Sequence, residues 1–388
     1  MQFTDTPGEA AWRNEVRQFI QNELPEELRG SGGLFNETAG APWDAWRRAL
    51  ASRGWIAPAW PREYGGAGMT VMEQFILNQE FSEAGAPQLG GLGVMMLGPT
   101  LIAHGTDEQK REHLSRILSG EVQWCQGYSE PGSGSDLASL QTRAVRDGDD
   151  WVINGQKIWT SLAHRADWCF CLARTDPDAP KHRGISYFLI DMKTPGITVR
   201  PLVNMVGTHE FNEVFFEDVR VPGRNIVGEV NRGWYVGATT LDFERSSIGS
   251  SIGQRQAIER YLGWLRDNQD EFSEDAYGCL RHEWAERWIE VGVAALLGYR
   301  IVSMQAAGQI PNAEASIAKL YVTELSQRTA ATALKMLGMW GGLRDALAPF
   351  RGEVAAGYLN AVSQTIAGGT SEIQRNIIAT RGLGLPRG

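Results

Sequence analysis

Tyr128-Ser129-Glu130-Pro131-Gly132-Ser133-Gly134-Ser135-Asp136 is the most specific stretch of this chain. It reads as a polar loop between strands. Its glycines let the backbone approach a ligand closely, and its Ser and Asp side chains can cap or contact that ligand. A second segment, Gly155-Gln156-Lys157-Ile158-Trp159-Thr160-Ser161, follows it, and a third, Gly368-Gly369-Thr370-Ser371-Glu372-Ile373-Gln374-Arg375, lies near the end. Around the first two, apolar residues recur with period two at 151–155, 168–172, 185–190 and 213–216, and Asn154-Gly155 gives a hairpin signal. A β domain is therefore expected over residues 121–228. The flanks carry helical periodicity: 10–24, 43–52, 70–84 and 99–118 before it, and 233–267, 275–307, 313–337 and 355–379 after it. The expected fold class is thus α+β and multidomain. An N-terminal helical domain (1–120) leads into a middle β-barrel or sandwich (121–228), and a C-terminal four-helix bundle (229–388) follows.

Composition narrows the function from the other side. With 43% hydrophobic and 21% charged residues, the 388-residue chain has the balance of a folded protein rather than a disordered one. The net charge of -9, without a basic run, gives nucleic acid no electrostatic hold. No signal peptide and no run of 18 apolar residues is visible, so a cytoplasmic protein without a membrane span is expected. The four cysteines form no CxxC pair and read as reduced thiols; Cys169 and Cys171 would share one strand face. The six His residues are scattered singly, so no metal site is expected. There is no Gly-Lys dipeptide for a P-loop, and no G-x-G-x-x-G follows a strand. Gly249-Ser250-Ser251-Ile252-Gly253 matches G-x-S-x-G, but it lies in a helical stretch and reads as small residues at a helix contact.

The three quoted segments, in their order and spacing, together with the helix–β–helix plan, resemble the acyl-CoA dehydrogenase family along nearly the whole chain. The resemblance implies an FAD enzyme that removes an α-proton from an acyl-CoA thioester while a β-hydride passes to flavin N5. Tyr128 and Ser129 would then sit against the pyrimidine end of the isoalloxazine, with Ser129 bonding it, and Ser135 would touch the pyrophosphate or the ligand nearby. Trp159 would cover one ring face, and Ser161 would bond near N5, where the family usually has Thr. Thr370 and Glu372 would meet the ADP portion. For Trp159 a place in the β-domain core is the competing reading, and for Ser161 a plain turn.

In many members the base is a Glu just before the Gly-Thr of the third segment. Here that position is Gly368, preceded by Ala367, so the resemblance points to the second family solution, that of isovaleryl- and long-chain-type members. The stretch Leu241-Asp242-Phe243-Glu244-Arg245 matches their pattern. It implies Glu244 as catalytic base, Arg245 holding the site's charge, Asp242 near the pantetheine arm, and a Gly368 backbone N–H bonding the thioester carbonyl.

Two features depart from the family. Its Arg-x-x-Phe-Gly segment, which reaches a neighbouring subunit's FAD, has no counterpart in residues 267–277. Its Gln before a Gly-rich turn is Lys335 here, a candidate cation for the FAD pyrophosphate or an ordinary helix-surface lysine. The implied partners are an acyl-CoA, an electron-transfer flavoprotein and further subunits. A homotetramer or dimer is expected, and the altered segment leaves a two-chain assembly open. A role in β-oxidation or other acyl-CoA catabolism follows from the resemblance. The competing functions are a flavin oxidase or monooxygenase on this fold, and a non-catalytic flavoprotein subunit. The shape of the acyl group is not legible.

Overall fold

The computed structural model describes residues 4–31, 39–245, 250–345 and 347–386, with the side chains of 242–250 outside that set. In chain order come α1 (Pro7–Glu23), α2 (Ala41–Ser52), α3 (Val71–Ala84), α4 (Gly98–His104) and α5 (Asp107–Ser119). Eight strands follow: β1 (Trp124–Gly127), β2 (Arg143–Asp147), β3 (Asp150–Lys157), β4 (Trp168–Arg174), β5 (Ile185–Asp191), β6 (Ile197–Val203), β7 (His209–Pro222) and β8 (Ile226–Val227). Then come α6 (Gly233–Arg245), α7 (Ser250–Asp267), α8 (Glu274–Ala306), α9 (Asn312–Leu337), α10 (Glu353–Gln364) and α11 (Ser371–Ile377). Two compact units result. One holds Met1–Ile20, Thr70–Ala84 and Ser247–Gly388, and the other holds Gln21–Met69 and Gly85–Ser246.

In the second unit the strands form one sheet in the order β6-β7-β3-β2-β4-β5-β8, with β1 added in parallel to β4. Alternation along the strands drives Ile153, Phe188, Val214 and Phe216 into one core. Cys125, Cys169 and Cys171 join it as buried free thiols, while Cys279 is exposed.

The hairpin expected at Asn154-Gly155 is not there. The turn between β2 and β3 falls at Gly148-Asp149, since Asp147 pairs with Asp150. Asn154 and Gly155 lie inside β3, opposite a bulge in β7. The Asn154 side chain exchanges 3.0 Å bonds with the Asp218 side chain and N–H, and Asp218 takes the left-handed backbone (φ 51°). Gly155 is needed for a different reason than a turn. A Cβ there would stand 2.5 Å from Thr142 Oγ1.

Two expected helices are each broken into two. The 99–118 stretch divides into α4 and α5, because Thr106 caps α5 in a reciprocal box with Gln109. The 355–379 stretch divides into α10 and α11 around Gly368 and Gly369, both at positive φ. The 233–267 stretch is resolved as α6 and α7, with 246–249, including Gly249 of the G-x-S-x-G match, outside the described residues.

In the first unit α7, α8, α9 and α10 pack around Ile258, Leu280, Trp284, Val291, Leu325 and Met336. The expectation of no membrane-length apolar run meets an exception in α8. Its 33 residues reach a mean hydropathy of 1.2 over 18, so one described helix is long and apolar enough to cross a membrane. Its Trp284 and Val291 lie in the bundle core, whereas Ile289 (66% exposed) and Leu296 (48%) face outward.

His113 on α5 is 3% exposed, with its ring edge-on to Trp124 and Trp168 at 5.3 and 5.1 Å. Burial, opposed by Glu112 and aided by Arg116, lowers its pKa below 6.5. Around and below that value the folded state binds fewer protons than the unfolded chain, so stability is full above it and is lost as pH falls from it through the lower folded pKa. The urea midpoint should drop from pH 7.5 to 5.5, and His113→Phe should flatten the drop. An unchanged slope in the variant would remove His113 from the account.

Candidate active site

The first two sequence segments meet inside the sheet unit. Ile158 N donates to Ser129 O at 2.9 Å, which joins the end of β3 to the loop after β1. Below that junction Lys157, fully buried, donates from Nζ to Tyr128 O (3.1 Å) and Glu130 Oε1 (2.8 Å). The Glu130 carboxylate also accepts from Gln141 N (2.6 Å) and Thr142 N (2.9 Å). Burial alone would raise the pKa of Glu130. The Lys157 ammonium and the two backbone donors outweigh it and hold the carboxyl below its ordinary value. A charged clamp thus fixes Tyr128-Ser129-Glu130 from underneath. Tyr128 packs edge-on to Phe170 and Tyr187. Ser135 is exposed farther along the loop, which is tied down by Ser133 Oγ donating to Asp136 O (2.9 Å) and by Lys181 pairing with Asp136 (2.6 Å).

Beyond β3 the chain turns sharply. Trp159 and Leu162 both take left-handed backbone, φ 59° and 58°, costly conformations that the surroundings must enforce. Trp159 does not join the core: the residue is 56% exposed, with its indole edge-on to Phe211 at 6.0 Å. Ser161 is half-buried in the same turn.

The helix that carries Glu244 docks onto this sheet. At its first residue, a Cβ on Gly233 would stand 2.3 Å from the Ser186 backbone. One turn on, a Cβ on Gly237 would stand 3.4 Å from Tyr128 Oη. Thr240, fully buried, exchanges a 2.9 Å hydroxyl bond with Thr100 of α4. Glu244 comes seven residues after Gly237 on the same helix, or about two turns. The side chains of Asp242, Glu244 and Arg245 lie outside the described residues.

The third segment belongs to the helical unit. Thr370 caps α11 by accepting from Ile373 N (3.2 Å), and Glu372 is exposed in its first turn. Gly368 O and Gly369 O are held by Gln374 Nε2 and Lys319 Nζ at 3.0 and 2.7 Å. A cavity of about 470 Å³ opens here, lined by Gln327 and Arg328 of α9 and by Thr370, Ser371, Glu372 and Arg375. The buried Ser371 Oγ has no partner among the described residues. Lys335 is not part of this lining; it is ion-paired with Glu283 of α8.

Sequence reasoning passed over Lys157, Glu130 and Gln126. A lysine at an inward position of an apolar strand, with an acid inside the neighbouring motif, was the available signal.

All three parts of the chain match family descriptions. These are Acyl-CoA dehydrogenase N-terminal domain (residues 6–121), middle domain (125–219) and C-terminal domain (231–383). The chain belongs to the acyl-CoA dehydrogenase family. It is 40% identical to acyl-CoA dehydrogenase IpdE1 of Mycobacterium tuberculosis over 97% of both chains. Among solved structures it is similar to the "Tcur3481-Tcur3483 steroid ACAD", with 34% identity, full coverage of both chains and a TM-score of 0.87. It is likewise similar to the ChsE4-ChsE5 complex of Mycobacterium tuberculosis, with 36% identity, full coverage and a TM-score of 0.82.

The protein is therefore an oxidoreductase that dehydrogenates acyl-CoA and uses FAD. The residues present fit that cofactor. Gln126 Nε2, two residues before Tyr128, and Thr160 Oγ1, between Trp159 and Ser161, are buried without a partner among the described residues. Unpaired polar atoms of this kind belong beside a ligand with heteroatoms. The exposed Trp159 indole adds a flat apolar face.

Proposed function

We propose that the chain oxidises the α,β bond of a bulky acyl-CoA, with Glu244 taking the α-proton. Bound FAD supplies the two-electron acceptor for the β-hydride. Trp159 would cover one face of the ring, and the Ser129 and Ser161 hydroxyls would bond its polar edge. Gly368 has no side chain, so it offers the thioester carbonyl only a backbone N–H. With Glu244 ionised, the α-proton moves to its carboxylate as the β-hydride leaves, and a 2-enoyl-CoA results. Electrons then pass to an electron-transfer flavoprotein. The bond between Ile158 N and Ser129 O carries this reading, because it unites the two segments that supply the ring contacts.

Two further observations concern substrate and assembly. A similar solved structure is described as a steroid enzyme, which supports a polycyclic rather than a straight acyl group. Two similar structures are two-chain complexes, and the cation expected at Lys335 is engaged by Glu283. Large apolar side chains stay exposed on the helical unit, among them Met339 (95%), Leu347 (88%) and Trp340 (61%). These support an oligomer, in which a neighbouring chain, identical or different, would supply the missing FAD contact.

Anaerobic mixing of the FAD-loaded protein with straight, branched, aromatic and steroid acyl-CoAs tests both readings. Flavin should bleach fastest with the steroid thioester, and light scattering should give a mass above one chain. Bleaching by straight chains alone would overturn the substrate class, and a monomer that keeps its flavin would overturn the assembly.

A further inference from the structure

The Trp159–Leu162 turn is gripped by one buried side chain that the chemistry described so far does not use. Thr160 N donates to Asn212 O at 3.0 Å, and Asn212 Nδ2 donates back to Thr160 O at 3.0 Å. Asn212 is fully buried at the start of β7. Two residues away, Leu162 N donates to Glu210 O at 2.9 Å, so both left-handed residues of the turn are flanked by bonds to this strand.

The amide's remaining capacity goes to two imidazoles stacked at 4.0 Å between centroids. Asn212 Oδ1 lies 2.8 Å from His209 Nε2, and Nδ2 lies 3.2 Å from His164 Nδ1. The other amide orientation would set Oδ1 against the Thr160 carbonyl, two acceptors face to face, so the Thr160 bond fixes which way the amide points. Hydrogen placement follows. His209 carries a proton on Nε2, and His164 keeps a free lone pair on Nδ1. Burial, together with His209 and Arg165 nearby, holds the His164 pKa below its ordinary value, which favours that neutral form.

We propose that Asn212 is a positioning residue for the flavin chemistry: it sets the Trp159–Ser161 turn at the height the ring requires, and the His164–His209 pair orients it. The strand register does not rest on this side chain, because Asn212 lies opposite Pro201 in a ladder that continues on both sides of it. What the side chain adds is the hold on Thr160. The inference rests on the reading that Trp159 and Ser161 face the flavin, so the test carries a reference variant.

Asn212→Leu removes the amide at similar volume, and Asn212→Asp keeps an acceptor for His209 while setting a carboxylate oxygen against Thr160 O. Both should weaken FAD binding to the apoprotein about tenfold, the effect of losing one buried hydrogen bond. Both should shift the flavin absorbance bands in the direction Ser161→Ala shifts them. They should slow flavin reduction while leaving KM for acyl-CoA within about twofold. Asn212→Asp, the smaller perturbation, serves if Asn212→Leu does not fold. Asn212 variants with native flavin bands and affinity, beside a perturbed Ser161→Ala, would overturn this role and leave the site reading standing. If Ser161→Ala and Trp159→Phe also leave the flavin unchanged, the site reading fails and takes this role with it.

Discussion

Glu244→Gln is expected to keep its FAD and its affinity for acyl-CoA yet lose flavin reduction by at least about 10²-fold. The substitution keeps the size and shape of the side chain but replaces the carboxylate with a neutral amide that cannot take a proton. A positioned general base typically contributes about 10²–10⁴ in rate. No other carboxylate is at hand in the segments the family uses. Gly368 has no side chain, and Ala367, Gly369 and Thr370 bring no acid. Glu372 is exposed in the first turn of α11, beside Arg375, where it is read as a cofactor contact. Asp242 lies on the same helix but two residues away, about 200° round its axis, so it cannot serve the same substrate carbon. Glu372→Gln should therefore loosen FAD and leave the rate of the loaded enzyme largely unchanged. Stopped-flow bleaching with a confirmed substrate measures both. A Glu244→Gln protein that reduces its flavin near the parent rate would mean that the base is elsewhere.

The second large effect is on stability. Lys157→Met should cost about 3–5 kcal/mol, because it leaves the Glu130 carboxylate buried without its counter-charge. The side chains are 0% and 8% exposed, so water cannot replace the lost ammonium. Tyr128 O loses a donor in the same step. The double variant Lys157→Met, Glu130→Leu should recover part of the loss, since breaking a buried pair is far costlier than replacing both members with apolar groups. Its loop would still lack the two bonds that the Glu130 carboxylate accepts from Gln141 and Thr142, so FAD should bind more weakly even where stability returns. Urea midpoints and FAD affinity for the single and double variants read this out. A Lys157→Met midpoint equal to the parent's would show that the clamp contributes little.

Much of the architecture is legible in local pattern. Period-two runs marked β3, β4, β5 and β7, and period-3.6 runs marked the helices, because each depends only on which face of a short element meets the core. The motif residues were legible for a related reason. Polar, glycine-rich loops are poor choices for a core and good ones for a ligand surface, whereas only the fold shows that Trp159 stays out of the core. The family resemblance then turned three such segments into one expected site, and the bond from Ile158 to Ser129 joins two of them in the fold.

The remaining features depend on partners remote in the chain. Asn154-Gly155 has the composition of a hairpin turn, yet it is strand, because the bulge at Asp218 of β7 lies 64 residues away and decides its geometry. Lys157 brings a charge into an apolar strand, and only the arrival of Glu130, 27 residues off, makes its burial affordable. Asn212 reads as one polar residue in a strand until the fold sets Thr160, 52 residues before it, against its amide. Helix and strand periods come from the backbone geometry of one stretch, so they can be read in a local window of the chain. Burial, charge pairing and the strained turn at Trp159 come into being when distant segments close on one another, and they are properties of that closure alone.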